Sequence, residues 1–187
     1  MGKPIRQALT EVERSANICK YFGEFADELT SDDFVQTSFH KSYISYEPLG
    51  VILAIMPWDF PIIQLFRFAV LTLIAGNVVV LKPASVTPSC GKPIERIFQD
   101  AGFPKGVFRT LLMDSTTALD LIRDDEVDGV SLTGSQGAGE EIGAVAGGRI
   151  KKSVLELGGS DSFVVLDDVD AGAVASTAVQ SHFVNCG

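Results

Sequence analysis

Residues 50–82 have the sequence GVILAIMPWDFPIIQLFRFAVLTLIAGNVVVLK, and this stretch decides the fold class. An apolar run of strand length over 50–56 precedes a helical pattern over 60–75, and a second apolar run follows over 78–82. Pro61 suits the first turn of that helix and Gly76 suits its end. Strands that are apolar on both faces and joined by a helix indicate a parallel sheet covered on both sides.

The same alternation continues towards the carboxyl end of the chain. Further strands are predicted over 107–112, 127–132, 153–157 and 163–166, and further helices over 87–101, 116–123, 136–146 and 170–183. The predicted fold class is therefore α/β, a doubly wound parallel sheet of the Rossmann-like kind. Ligands of such sheets bind at the carboxyl ends of the strands.

The amino-terminal part has a different character. Apolar residues recur every three or four positions from Pro4 to Leu29, which predicts one amphipathic helix, and residues 34–47 are predicted to form an extended ribbon. These patterns divide the chain into a helical segment over 1–33, an extended segment over 34–49, an α/β region over 50–157 and a less regular region over 158–187.

Composition excludes several classes of protein. The 187 residues are 46% hydrophobic with a net charge of −9, and no basic stripe is present that could bind nucleic acid. The longest charge-free apolar stretch, 68–81, is shorter than the roughly 20 residues of a membrane span. Cys19, Cys90 and Cys186 form neither a disulfide framework nor a metal-binding pattern, so we expect no metal and a reducing cytoplasm.

Four strand ends carry residues that could do chemistry. Asp59 lies between two prolines in PWDFP, and Lys82 begins KPAS at the end of a strand. Asp59 could equally be a helix cap in a rigid turn, and Lys82 could equally be a surface lysine. In TGSQGAG, Gly134 and Ser135 lie where backbone amides can approach a diphosphate, although the full glycine fingerprint is missing. Glu156 in LELGG is a candidate general base, with a paired structural glutamate as the alternative.

In this order and at these separations, PWDFP, LKPAS, LTGSQGAG and LELGG resemble the NAD(P)-dependent aldehyde dehydrogenase superfamily. The resemblance extends over residues 1–187. It implies an N-terminal helical segment over 1–33, part of an oligomerisation arm over 34–49, a Rossmann-like cofactor-binding domain over 50–157, and over 158–187 the start of the catalytic domain, cut before the nucleophile. The MGKPI, ELGGSD and FVNCG segments are most similar to the succinate-semialdehyde dehydrogenase branch.

The resemblance implies a reaction and a set of roles. An aldehyde would be oxidised by thiolate attack, hydride transfer to the nicotinamide and thioester hydrolysis, with Glu156 activating water. Lys82 would bind the adenosine ribose, and Gly134 and Ser135 would bind the diphosphate. The expected cofactor is NADP or NAD, and the cofactor-binding residues would be Met56, Pro57, Trp58, Lys82, Ser85, Gly134, Ser135, Leu157 and Gly158.

The sequence departs from the family at three places. Asp59 occupies the position of an asparagine whose amide donates to the oxyanion, and an ionised carboxylate has no such donor. Ser85 replaces a glutamate that repels a 2′-phosphate, so NADP should be accepted. The nucleophilic cysteine would lie three residues beyond the glycine that aligns with Gly187, and Cys186 is expected to be a non-catalytic thiol.

These features leave two interpretations of the function. The chain is either the cofactor-binding portion of an aldehyde dehydrogenase, inactive alone, or a non-enzymatic nucleotide-binding or structural remnant of one. A short-chain reductase is disfavoured because Tyr43 and Tyr46 have no lysine four residues later. Part of the arm, 40–48, would leave unpaired strand edges, so we expect a homo-oligomer.

Overall fold

The structure is a computed structural model that describes residues 1–186, except for the side chain of Cys186. The predictions for Gly187 and for the Cys186 thiol therefore lie outside the described residues. The elements are α1 Ile5–Glu24, α2 Ala26–Thr30, β1 Asp33–Phe34, β2 Tyr43–Ile44, β3 Val51–Ile55, α3 Ile63–Ile74, β4 Val78–Lys82, α4 Pro88–Asp100, β5 Phe108–Thr110, α5 Ser115–Arg123, β6 Gly129–Gly134, α6 Gln136–Gly148, β7 Lys152–Leu157, α7 Ala171–His182 and a 3₁₀ turn at Val184–Cys186.

The main sheet has five parallel strands in the order β5-β4-β3-β6-β7. Ile52 of β3 lies beside Val79 on one side and Gly129 on the other, which fixes the register of the centre. The direction of winding reverses between β3 and β6, where such sheets bind their ligands. The predicted doubly wound α/β fold is confirmed.

Two apolar clusters cover the two faces of the sheet, because successive side chains of a strand point to opposite sides. Ala54 and Met56 contribute to the cluster under α3 and α4, whereas Leu53 contributes to the one under α5 and α6. Ile18 and Phe22 of α1 pack against the first cluster from outside. This burial on both faces explains why the central strands are continuously apolar.

The amino-terminal elements differ in detail from the prediction. The single helix predicted over 4–29 is broken at Phe25, whose φ of −103° and ψ of 11° end α1. Gly23, a poor helix former, precedes the break. The predicted ribbon is present as the short antiparallel pair β1–β2, which joins Phe34 to Tyr43.

Two further predictions are wrong. Residues 163–166 form no strand, because no strand within residues 1–186 pairs with them, and Phe163 and Val164 are 56% and 78% exposed. The helix predicted from residue 60 begins only at Ile63, so Pro61 lies in the turn before it. Within residues 1–186, no helix combines the length and the apolar character required to cross a bilayer.

Candidate functional site

The carboxyl ends of the parallel strands all lie along one border of the sheet, which is the edge meant below. The loops that follow the strands start at this edge. The N–H of Met56 donates to the carbonyl of Lys82 at 3.2 Å, and the N–H of Gly158 donates to the carbonyl of Gly134 at 3.2 Å. These bonds continue the strand pairing past the ends of β3 and β7. The four motifs predicted from the sequence therefore meet at this edge.

A cleft of about 540 Å³ opens at this edge and contains most of the predicted site. Eight predicted residues line it, and three residues that the sequence analysis did not single out join them. The lining consists of Pro57, Trp58, Asp59, Gln64, Arg67, Thr133, Gly134, Ser135, Glu156, Leu157 and Gly158.

The remaining three predicted residues lie outside the cleft lining. Met56 is only 3% exposed, and its side chain packs in the core, so it does not offer a side-chain contact to a ligand there. Lys82 lies at the end of β4, and Ser85 is exposed in the loop that follows. Lys82 and Ser85 are thus close together in sequence at the carboxyl end of β4, which pairs with β3.

Lys82 is unusual because its side chain is buried without a partner. The residue is 9% exposed, and within residues 1–186 it forms no side-chain hydrogen bond or ion pair. Its charge acts weakly on Asp114, whose pKa is held below the ordinary value mainly by hydrogen bonds from Thr117. A buried ammonium that donates no hydrogen bond within the described chain suits a polar or anionic ligand.

The turn over 57–61 carries Trp58 and Asp59 into the cleft. Trp58 is 53% exposed, and Asp59 is half-buried. The carbonyl of Asp59 accepts a hydrogen bond from Nδ2 of Asn185 at 3.2 Å, so the segment before Cys186 lies against this turn.

The first turn of α6 can bind an anion. Ser135 is the N-cap, and its Oγ accepts the N–H of Ala138 at 3.4 Å. The N–H groups of Gln136 and Gly137 have no partner within the helix by geometry. A side chain at Gly137 would meet no atom within 4 Å, so the outer side of this first turn is open. Together with the helix dipole these N–H groups fit a diphosphate group.

Glu156 lies on β7 beside Thr133 of β6. It is exposed, and its carboxylate has no ion pair or hydrogen bond in the part of the chain that the structure describes. The alternative of a paired structural glutamate therefore finds no support there. Glu156 also lines a second cavity of about 340 Å³, together with residues of α3, β6 and β7.

Sequence reasoning missed Gln64 and Arg67 of α3, which line the cleft and the neighbouring cavities. The Arg67 guanidinium lies 3.5 Å from Oε1 of Gln64, and no carboxylate pairs with it among the described residues. The sequence contained a signal for both residues. Gln64 and Arg67 are polar, three positions apart, and lie in the first turns of a helix that is otherwise mostly apolar.

The chain is similar to known proteins along its whole length. The sequence model of the Aldehyde dehydrogenase family matches residues 1–187. A Synechocystis protein called "Probable succinate-semialdehyde dehydrogenase (NADP(+))" is 49% identical over the whole chain, which covers 41% of that protein. An Escherichia coli succinate semialdehyde dehydrogenase, NAD(P)+, is 43% identical, and the chain covers 40% of it.

Solved structures of aldehyde dehydrogenases also match this chain. The succinic semialdehyde dehydrogenase of Streptococcus pyogenes, solved in complex with NADP+, superposes with a TM-score of 0.95 at 36% identity. The match covers 99% of this chain and 41% of that one. The chain therefore spans about two-fifths of the length of the relatives it matches. A family match over all of its residues shows that the chain belongs to the aldehyde dehydrogenase family.

Proposed function

We propose that this chain supplies the cofactor-binding part of an NAD(P)-dependent aldehyde dehydrogenase that oxidises succinate semialdehyde, or a similar aldehyde, to the acid. The observation that carries the proposal is the cleft at the switch point. There the turn with Asp59, the amino end of α6 and the carboxylate of Glu156 line one cavity. The division into domains predicted from the sequence is part of this proposal.

The residues present fit a nicotinamide dinucleotide. The amides at the start of α6 would hold the diphosphate, and Lys82 would hydrogen-bond the adenosine ribose. Ser85 has a hydroxyl group and no negative charge, so it would tolerate the 2′-phosphate of NADP. The names of two relatives agree with this, since they specify NADP(+) or NAD(P)+. When bound, the cofactor accepts the hydride that the aldehyde loses.

Arg67 supports an anionic aldehyde as substrate. Its guanidinium lines the cleft with Asp59 and Glu156, and within the described chain its polar contact is the amide of Gln64. A planar guanidinium can bind a carboxylate through two parallel hydrogen bonds. We propose that it binds the carboxylate of succinate semialdehyde, the substrate named for several relatives.

The two carboxylates of the cleft would have different tasks. Glu156 would take a proton from the water that hydrolyses the acyl-enzyme, because it is accessible and unpaired in the described chain. Asp59 would lie at the oxyanion, where an ionised carboxylate cannot donate a hydrogen bond. The loss of one such donor lowers a rate by about 10²- to 10³-fold, so we expect a slow enzyme unless a proton is held there.

Asp59 also favours the second interpretation, a nucleotide-binding remnant without activity. A polypeptide of residues 1–187 contains no Gly-Gln-x-Cys pattern. We therefore expect such a polypeptide to bind the cofactor and to leave aldehydes unchanged.

The environment and assembly of the chain belong to the same proposal. The free thiols of Cys19 and Cys90 suit a reducing compartment, and a cytoplasmic location stays a prediction. Phe34 and Ile44 of the ribbon are 71% and 52% exposed, which supports burial against another copy.

Calorimetric titration of the 187-residue chain with NADP+ and with NAD+ tests the proposal. Lys82→Met should weaken binding about tenfold, since a hydrogen bond from a charged group contributes about 1.5–3 kcal/mol. Lys105→Met is the matched control, because Lys105 is exposed in the loop before β5, at the opposite edge of the sheet. Binding of neither dinucleotide, or equal losses in the two variants, would refute it.

A further inference from the structure

The turn over 57–61 has few hydrogen bonds of its own with which to hold its shape. Pro57 and Pro61 have no N–H group to donate. The helix that follows has no capping side chain at Ile62 and no acidic residue in its first turn. The orphan N–H groups at the start of α3 must therefore be satisfied by a more distant part of the chain.

Glu11 of α1 provides the missing acceptor. Its Oε1 accepts the N–H of Ile62 at 2.8 Å and that of Ile63 at 3.1 Å. Its other oxygen pairs with the ammonium of Lys3, and the two side chains are only 2% and 6% exposed. A carboxylate at this place also interacts favourably with the dipole of α3.

Lys3 ties the same network to the turn itself. Its Nζ lies 4.1 Å from the centre of the Phe60 ring, the residue that follows Asp59. An ammonium over an aromatic face is attracted by the ring's electron density. The network therefore contacts the turn at Phe60 and the helix directly after it at Ile62 and Ile63.

We propose that Lys3 and Glu11 are positioning residues that hold Trp58 and Asp59 in the cleft. Neither lines the cleft itself, whose members come from the turn, α3, β6 and β7. A buried ion pair adds little net stability compared with well-packed apolar side chains, and its better-attested use is to fix one arrangement out of several. Here the arrangement is the path of the chain from β3 to α3.

A second buried carboxylate offers a matched comparison. Glu95 of α4 is 7% exposed, accepts the N–H of Thr110 at 2.8 Å and lies 3.4 Å from the Arg109 guanidinium. It thus has the same kinds of partner as Glu11, but it supports the edge strand β5. Damage to Glu95 should lower stability without moving the turn over 57–61.

The test uses Trp58, the only tryptophan in the sequence, as a reporter in the 187-residue chain. The double variant Lys3→Met/Glu11→Met removes both charges together, so neither is left buried and unpaired, and it takes the acceptor away from the N–H groups of Ile62 and Ile63. Since Trp58 is 53% exposed, its release should raise acrylamide quenching about twofold and shift its emission to the red. Lys3→Arg keeps the charge and should retain the quenching of the parent chain.

The outcomes separate positioning from general support. Quenching that rises in a folded double variant, and stays unchanged in Glu95→Gln, supports the proposal. A folded double variant with the parent's quenching overturns it, and so does an equal rise in Glu95→Gln. If the double variant does not fold, Glu11→Gln is measured by the same criteria.

The inference rests on the proposed function only in taking the cleft to be the cofactor site. The fluorescence of Trp58 is measured without a dinucleotide, so it tests the positioning even if none binds. Conversely, failure of the calorimetric titration would refute the proposed function and leave this measurement intact. If both hold, the double variant should also bind NADP+ more weakly than Glu95→Gln.

Discussion

Alanine at Gly139 of α6 should destabilise the chain, whereas alanine at Gly147 of the same helix should not. A Cβ at Gly139 would lie 2.5 Å and 2.7 Å from the two methyl carbons of Leu157. At Gly147 it would meet no atom within 4 Å. The two substitutions are chemically identical and differ in what the added methyl group meets.

The expected free energies follow from these distances. Replacing a glycine inside a helix with alanine stabilises the helix by up to about 1 kcal/mol. The overlap at Gly139 requires Leu157 to move by about 1 Å or to change rotamer, and overpacking of this kind costs about 1–3 kcal/mol. Leu157 is partly exposed, so its side chain can move aside at a moderate cost. We expect Gly139→Ala to lower the free energy of unfolding by about 1 kcal/mol. Gly147→Ala should raise it by about 0.5 kcal/mol.

Urea unfolding followed by circular dichroism measures both values. The two variants should differ by about 1.5 kcal/mol in their free energy of unfolding. This difference is more reliable than either value, because both carry the same error of extrapolation to zero urea. Equal stability of the two variants would show that α6 does not pack against the end of β7 as described. Since Leu157 adjoins Glu156, Gly139→Ala should also alter the cleft.

Three further predictions concern charge and the cleft. Hydrogen bonds from Thr117 lower the pKa of Asp114, so its contribution to stability is complete above the ordinary aspartate pKa of about 3.9 and is lost as the pH falls through the lower folded-state pKa. The difference in unfolding free energy between the parent and Asp114→Ala should accordingly shrink only in that acidic range, and a constant difference from neutral to acidic pH would contradict this. Burial raises the pKa values of Cys19 and Cys90, so iodoacetamide should alkylate them more slowly than a cysteine peptide at about pH 8. The rate of alkylation should rise at more alkaline pH, and a rate equal to that of the peptide at about pH 8 would contradict the prediction. Arg67→Met should weaken succinate binding about tenfold in an NMR titration of the Trp58 indole signal, while Arg96→Met, an exposed change on α4, should not alter it.

The sheet and the position of the cleft could be predicted from sequence, because both depend on local patterns. Apolar runs of strand length alternate with helices, and in a parallel sheet the residues after each strand come to one edge. Trp58, Gly134 and Glu156 were found in this way, since each follows or ends an apolar run. The order of the strands brought them into one cavity.

Three of the differences from the prediction have causes that lie far away in the chain, unlike the break at Phe25, which follows the nearby Gly23. The start of α3 depends on Glu11, which is 51 residues from Ile62. The apolar residues 163–166 favour a strand locally, but a strand requires a partner alongside it. Arg67 interrupts an apolar helix, but only the fold shows that it lines the cleft together with residues of β6 and β7.

The reversal of winding at β3 has a consequence for synthesis of the chain. On the ribosome, β3 can pair with β4 as soon as Lys82 has emerged, but its other neighbour, β6, begins only at Gly129. Until then one edge of the most apolar strand is open, and Leu53 lacks the helices that later cover it. An open apolar strand edge makes a partly folded chain prone to aggregation. The order of strands that creates the cleft thus also sets the interval in which this polypeptide most depends on protection by chaperones.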